Sequence, residues 1–229
     1  MGAGKWGLNH INTLSSLGVS IGCVDSNKEQ LKKVNSIFPE INSFSTIEES
    51  FKENFDGYII STPPSSHAEI TKLIILNQKP VLVEKPLALS LRDCNEIKSY
   101  VKKYDGKLLV GHLLLFHPAI LKIKSLINEG KIGVINYIYS NRLNLGTVRK
   151  EENVLWSFAP HDISLFQFFS NSFPSEVSSI GGDFLQKNIH DTTITYLKYP
   201  NKIQGHIYTS WLHPFKEHRL VIIGSKGSL

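Results

Sequence analysis

The apolar positions of this chain change their rhythm near its middle. Up to about residue 115, short apolar runs alternate with amphipathic stretches. Leu8, Ile11, Leu14 and Leu17 fall on one stripe at helical spacing, and residues 19–24 follow as a strand ending at Asp25. Further strands are predicted at 57–61, 81–83 and 108–110, each a short run rich in Val, Ile, Leu or Tyr. Helix starts are marked by Ser26 with Glu29, Thr46 with Glu49 and Ser66 with Glu69, pairs whose hydroxyl and carboxylate can cap free amides of the first turn. Strand and helix in alternation build a doubly wound parallel sheet, expected over residues 1–115.

Beyond residue 116 the pattern becomes that of an α+β domain. One helix is predicted at 118–128 and another near 160–170. β-branched and aromatic runs give strands at 134–145, 177–185, 192–199, 203–211 and 219–223. Short turns such as 199–202 imply a mainly antiparallel, open sheet over residues 116–229. There is no internal repeat. Only Met1 stands ahead of Gly2, so the first strand of the parallel sheet is expected to be missing, and the second domain to be incomplete, because residues 221–229 stop with a strand and turn in progress.

Composition narrows the class. The 229 residues, 41% hydrophobic and 10% aromatic, suffice for real cores. The two cysteines, Cys23 and Cys94, lie in different predicted elements without metal or disulfide spacing, so no metal site is expected. No run reaches a membrane span and no signal-peptide pattern opens the chain, which places it in the cytoplasm, away from membranes. The net charge of +5 comes from dispersed Lys and Arg, with pairs such as Lys32-Lys33 and Lys102-Lys103 on helix faces; it favours anionic small molecules rather than nucleic acid.

The candidate chemistry begins at the first residues. Gly2, Gly4 and Gly7, with Lys5 and Trp6 between them, allow a tight turn whose amides approach a pyrophosphate at a helix N-terminus. Asp25 stands about 20 residues on, where a carboxylate accepts the ribose hydroxyls and repels a 2′-phosphate. NAD is therefore the expected cofactor and NADP the less favoured one, a preference moderated by Lys28. Lys85 follows the strand at 81–83, so its ammonium is expected in the crevice where parallel sheets bind ligands, poised for proton transfer, with Glu84 orienting it. The plainer alternative is a surface lysine ahead of a proline turn.

Taken together, the glycine turn, Thr62-Pro63-Pro64 with His67, Glu84-Lys85-Pro86 and His161-Asp162 resemble the Gfo/Idh/MocA family of NAD(P)-dependent oxidoreductases over essentially the whole chain. The resemblance implies a Rossmann-type first domain, a cis bond between Lys85 and Pro86, and a homo-oligomer formed through the C-terminal sheet. It implies that Lys85 and His161 are catalytic and that Thr62, Pro63, His67 and Glu84 belong to the cofactor groove. Members of the family usually carry an aspartate four residues before the histidine; here that position is Ser157, which leaves proton transfer to His161 and Lys85. The alternative for His161 is a satisfied core histidine. Arg142 and Asn144, separated by one apolar residue, are expected on one face of their strand. With Trp156, Ser157 and Lys216 they are the substrate candidates; the alternative for Trp156 is a core aromatic. The segments at 142–146, 155–162 and 210–216 look like members that oxidise nucleotide-activated hexoses at C3, such as UDP-sugars in polysaccharide synthesis. The expected reaction is oxidation of a secondary hydroxyl of a sugar or nucleotide-sugar. The alternatives are a free polyol or inositol dehydrogenase and a dinucleotide-binding sensor without turnover.

Overall fold

A computed structural model describes residues 1–146, 148–149 and 152–229. The chain forms two compact units, Met1–Gly111 and His112–Leu229.

In the first unit the order is α1 (Lys5–Ser16), β1 (Gly22–Val24), α2 (Lys28–Ile37), β2 (Asn42–Phe44), α3 (Ile47–Phe51), β3 (Tyr58–Ile60), α4 (His67–Leu76), β4 (Val81–Val83), α5 (Leu91–Tyr104) and β5 (Leu108–Val110). All pairings are parallel, but the strands form two sheets, β1 with β2 and β3-β4-β5. Met1 and Gly2 join the two: the Met1 ammonium donates to Ile59 O at 2.8 Å, Ser61 N to Met1 O at 2.9 Å, and Gly2 N to Val24 O at 2.8 Å. Apolar residues of both sheets are covered by helices. Ile60, Val83, Ile74 and Ile75 are fully buried together, and Ile11, Cys23, Val34 and Ile41 form a second cluster.

Only one of the expected caps forms as read. Thr46 accepts from Glu49 N and the Glu49 carboxylate reaches back, a complete capping box. At α2 the cap is Asn27, whose side chain accepts from Glu29 N, so Ser26 lies one residue too early. Ser66 makes no side-chain cap because a 3₁₀ turn, Pro64–Ser66, precedes α4 and its hydroxyl donates to Thr62 Oγ1 and Pro63 O instead.

The second unit contains α6 (Pro118–Asn128), β6 (Ile135–Leu143), α7 (Val154–Ser170), β7 (Glu176–Gly182), β8 (Thr192–Lys198), β9 (Gln204–Ser210) and β10 (Glu217–Gly224). The five-stranded sheet has the order β10-β6-β9-β8-β7; β6 and β9 run parallel and the other pairs antiparallel. One face is covered by α7, whose Leu165, Phe166 and Phe169 pack with Ile138, Leu197, Ile207 and Ile222. Burying each such side chain stabilises by roughly 1.5–3 kcal/mol. Gly205 permits this packing, since a Cβ there would come within 2.9 Å of the Phe166 ring. α7 starts well before the predicted residue 160, because Asn153 caps it by accepting from Trp156 N, and Pro160 lies inside it. β7 ends at Gly182, short of the predicted 185. Among the described residues, no helix is long and apolar enough to cross a membrane.

Candidate functional site

The glycine turn leads into α1 through Gly4, which is extended and carries no side chain to cap the helix; the first turn holds no acidic residue. The leading amides and the positive end of the helix are therefore available to an anion. Gly2 has φ +85°, and a Cβ there would lie 2.8 Å from Thr62 N, so glycine is required where the turn passes the end of β3. A Cβ on Gly4 would meet nothing within 4 Å, leaving that side open. Asp25, just past β1, accepts from Ala3 N at 2.7 Å with Oδ2 and from Asn27 N at 2.8 Å with Oδ1. Its carboxylate is thereby fixed beside the turn, and each oxygen keeps a lone pair for a ribose hydroxyl. These residues fit a dinucleotide: open amides for the pyrophosphate and an anchored acid for the ribose. Lys5 is exposed at the helix start. Trp6 is 46% exposed, and its indole also donates to Glu84.

Lys85 is held by its neighbours. Glu84, 8% exposed at the end of β4, donates its amide to Ile60 O at 2.9 Å. Its Oε1 lies 2.8 Å from His10 Nε2 on α1, and its Oε2 accepts from Lys85 N at 3.3 Å. Burial alone pushes the Glu84 carboxyl up, but the His10 and Trp6 hydrogen bonds outweigh it and hold it below the usual carboxylate value. Lys85 is half-buried, and its bond to Pro86 is cis. His67, expected to line the cofactor groove, is buried: Nδ1 lies 2.8 Å from Pro86 O and Nε2 2.9 Å from Thr62 O. It ties the Thr62-Pro63 turn to the lysine segment and presents no ring nitrogen to a ligand. Thr62 is half-exposed and Pro63 exposed at the turn after β3.

In the second unit Ser157 and His161, four residues apart on α7, share a helix face. Ser157 is buried and His161 half-buried. Arg142, a substrate candidate, is already engaged: Nε donates to Asp162 Oδ2 at 2.6 Å and Nη2 to Asp162 Oδ1 at 3.0 Å. This fork joins β6 to α7 beside His161 and takes the guanidinium away from a phosphate. Asn144 lies beyond the end of β6, where its amide donates to Ser210 O at 3.0 Å, so the expected alternation with Arg142 stops at Leu143. Trp156 is 38% exposed in the first turn of α7, and Lys216 is exposed ahead of β10. Burial lowers the pKa of His218, across the ladder from Arg142, and the charges of Arg142 and Lys216 lower it further.

His10 and Asp162 escaped the sequence reading as site residues. His10 follows Gly7 by three positions, on the first helix after the turn; Asp162 is the neighbour of His161, and its partner is 20 residues away. Among the described residues, no group of three or more His, Cys, Asp and Glu is placed to hold a metal.

Residues 1–112 match the oxidoreductase family with an NAD-binding Rossmann fold, Gfo/Idh/MocA, and residues 120–229 match the Gfo/Idh/MocA C-terminal domain. The chain is 28% identical to 2,7-anhydro-N-acetylneuraminate hydratase of Escherichia coli over 76% of its own length and 50% of the relative's. It is 25% identical to scyllo-inositol 2-dehydrogenase (NAD(+)) of Bacillus subtilis, over 100% of this chain and 71% of that protein. The chain thus spans about half the length of the first relative. The crystal structure of myo-inositol 2-dehydrogenase from Lactobacillus plantarum superimposes with a TM-score of 0.90 at 18% identity, covering 100% of this chain and 74% of that one. With both halves matched in order and the dinucleotide turn intact, the chain belongs to the Gfo/Idh/MocA family of NAD-binding oxidoreductases.

Proposed function

We propose that the protein oxidises a secondary hydroxyl of a polyhydroxylated ring, with NAD as hydride acceptor. The observation that carries this is Lys85: it stands immediately after a buried, anchored glutamate at the end of a parallel strand, in the same unit as an open glycine turn. Gly2, Gly4, Gly7 and Asp25 would hold the dinucleotide, with Thr62 and Pro63 beside it. Bound nicotinamide supplies hydride transfer at its C4. Lys85, as the neutral amine, accepts a hydrogen bond from the substrate hydroxyl and takes its proton to become the ammonium as the carbon is oxidised, and His161 is the second acid–base residue. Ser157 has no carboxylate to take part, so it acts as a hydrogen-bonding group at most.

Within this class a free cyclitol or polyol is the leading substrate. A relative aligned along the whole chain bears an inositol dehydrogenase name, and Arg142, the best phosphate candidate, is held by Asp162. A nucleotide-activated hexose is the second reading, supported by the look of residues 142–146, 155–162 and 210–216 and by the exposed Lys216. The relative named as a hydratase adds a third reading, addition of water to the substrate in place of its net oxidation. Self-association through the open face of the second unit's sheet is part of the proposal, as is work in the cytoplasm, where the dinucleotide pool lies.

The test is NADH formation with inositols, free sugars and UDP-sugars, beside Lys85→Met. Turnover with an inositol or sugar, lowered by about 10²–10⁴-fold in Lys85→Met with NADH binding retained, supports the reading. Undiminished turnover in that variant removes Lys85 from the mechanism. NADH binding with neither NADH formation nor chemical change in any of these compounds favours a sensor.

A further inference from the structure

The residues on either side of Lys85 are each held by a histidine that the proposed chemistry does not use. Before it, the Glu84 carboxylate lies 2.8 Å from His10 Nε2, and Trp6, on the same helix as His10, donates to the same group. After it, Pro86 O lies 2.8 Å from His67 Nδ1, while His67 Nε2 lies 2.9 Å from Thr62 O. Gly111 closes the Glu84 pocket with bare backbone, since a Cβ there would come within 3.2 Å of Glu84 Oε2.

We infer that His10 and His67 are positioning residues, a two-sided brace that fixes the backbone under Lys85 to the two walls that receive the dinucleotide. His10 reaches from α1, whose N-terminus meets the pyrophosphate, and His67 ties in the turn at Thr62. A lysine side chain is long and flexible, so the place of its ammonium is set first by the backbone that carries it. A displacement of about 1 Å at a reacting group is enough to cost roughly 10²-fold in rate. The chemistry of each contact is consistent with this role. A carboxylate only accepts, so His10 donates from Nε2; a neutral His67 donates to one of its two carbonyls and an imidazolium to both. The inference rests on Lys85 as the proton-transferring residue.

The experiment follows the Lys85 ammonium itself, by NMR of the full chain after isotope-labelled reductive methylation, with the Lys85 signal assigned by its loss in Lys85→Met. In His10→Ala and in His67→Ala the pH midpoint of that signal is expected to move by at least about threefold in proton affinity. NADH affinity, read by fluorescence, falls with it. His10→Gln, which keeps a donor within reach of Glu84, restores both. If His67→Ala does not fold, His67→Asn, too short to span Thr62 and Pro86, carries that arm. A Lys85 midpoint unmoved in the folded variants overturns the brace, as does a shift that His10→Gln fails to reverse. Undiminished turnover in Lys85→Met would instead remove the proton-transfer reading, while the titration still decides the brace.

Discussion

Asp25 serves the fold and the cofactor with the same two oxygens. Its carboxylate accepts from Ala3 N and Asn27 N, and Ala3 is 1% exposed, so the loss of that acceptor strands a buried amide. Asp25→Ala is expected to cost about 1.5–3 kcal/mol in denaturant unfolding and to weaken NADH binding. It should also bring the affinities for NAD and NADP together, because the group that repels a 2′-phosphate is gone; a preserved NAD preference in equilibrium titrations would move the discrimination to another residue. Glu84 sets an acid limit of a different kind. Its carboxyl is held below the ordinary value of 4.5, because the His10 and Trp6 hydrogen bonds outweigh burial. A folded value below the unfolded one gives stability that is complete above the unfolded value and is lost as pH falls through the folded one. Melting temperature should therefore drop as pH falls below about 4.5, and the drop should be shallower in His10→Ala, whose glutamate is less strongly held.

At the scale of elements, the Arg142–Asp162 fork is a two-pronged polar tie between β6 and α7. Both side chains are nearly dry, 14% and 2% exposed, so removal of one leaves the other's charge buried. Arg142→Ala is expected to destabilise by about 3–5 kcal/mol in urea unfolding, whereas Arg142→Met with Asp162→Asn should recover much of that loss. A near-neutral Arg142→Ala that instead weakens substrate binding would return this arginine to the ligand. The sequence showed Arg142 as a cation on a strand but not the acid it meets, because their contact depends on how α7 lies on the sheet. The same limit explains α7 itself. Pro160 argues locally for a helix start, yet Asn153 caps the helix earlier and packing of Phe166 and Phe169 keeps the whole length. At Thr46 everything needed is within four residues and the reading holds; at Ser66 a preceding 3₁₀ turn takes the hydroxyl elsewhere.

At the scale of the whole molecule, the alternation of strand and helix and the later run of strands were legible, because each follows from period and turn chemistry. The parallel pairing of β6 with β9 was not, since nothing local specifies a partner 60 or more residues away. That pairing places His206 on the central strand of the sheet, on the face opposite α7. There Tyr196, His206, Tyr139 and Val221 stand in register across four strands, with Ile180 and Ile194, 74% and 48% exposed, beside them. An aromatic and aliphatic face this broad suits a second copy of the chain, as proposed, and Ile194→Lys is expected to dissociate the assembly in sedimentation. His206 is expected to make that proposed association sensitive to acid. Its ring stacks on Tyr139 and meets the Tyr137 hydroxyl at 2.6 Å, with Tyr196 opposite it on β8, and burial pushes its pKa below 6.5. None of these neighbours carries a negative charge to offset a proton. Covering the ring with a second copy would bury it further and disfavour its charged form, so proton uptake opposes the covered state, and the penalty grows as pH falls below the value in the free folded chain, itself under 6.5. Sedimentation between neutral pH and about 5.5 should show dissociation that His206→Gln suppresses; equal pH dependence in the two proteins would assign the acid response to another group.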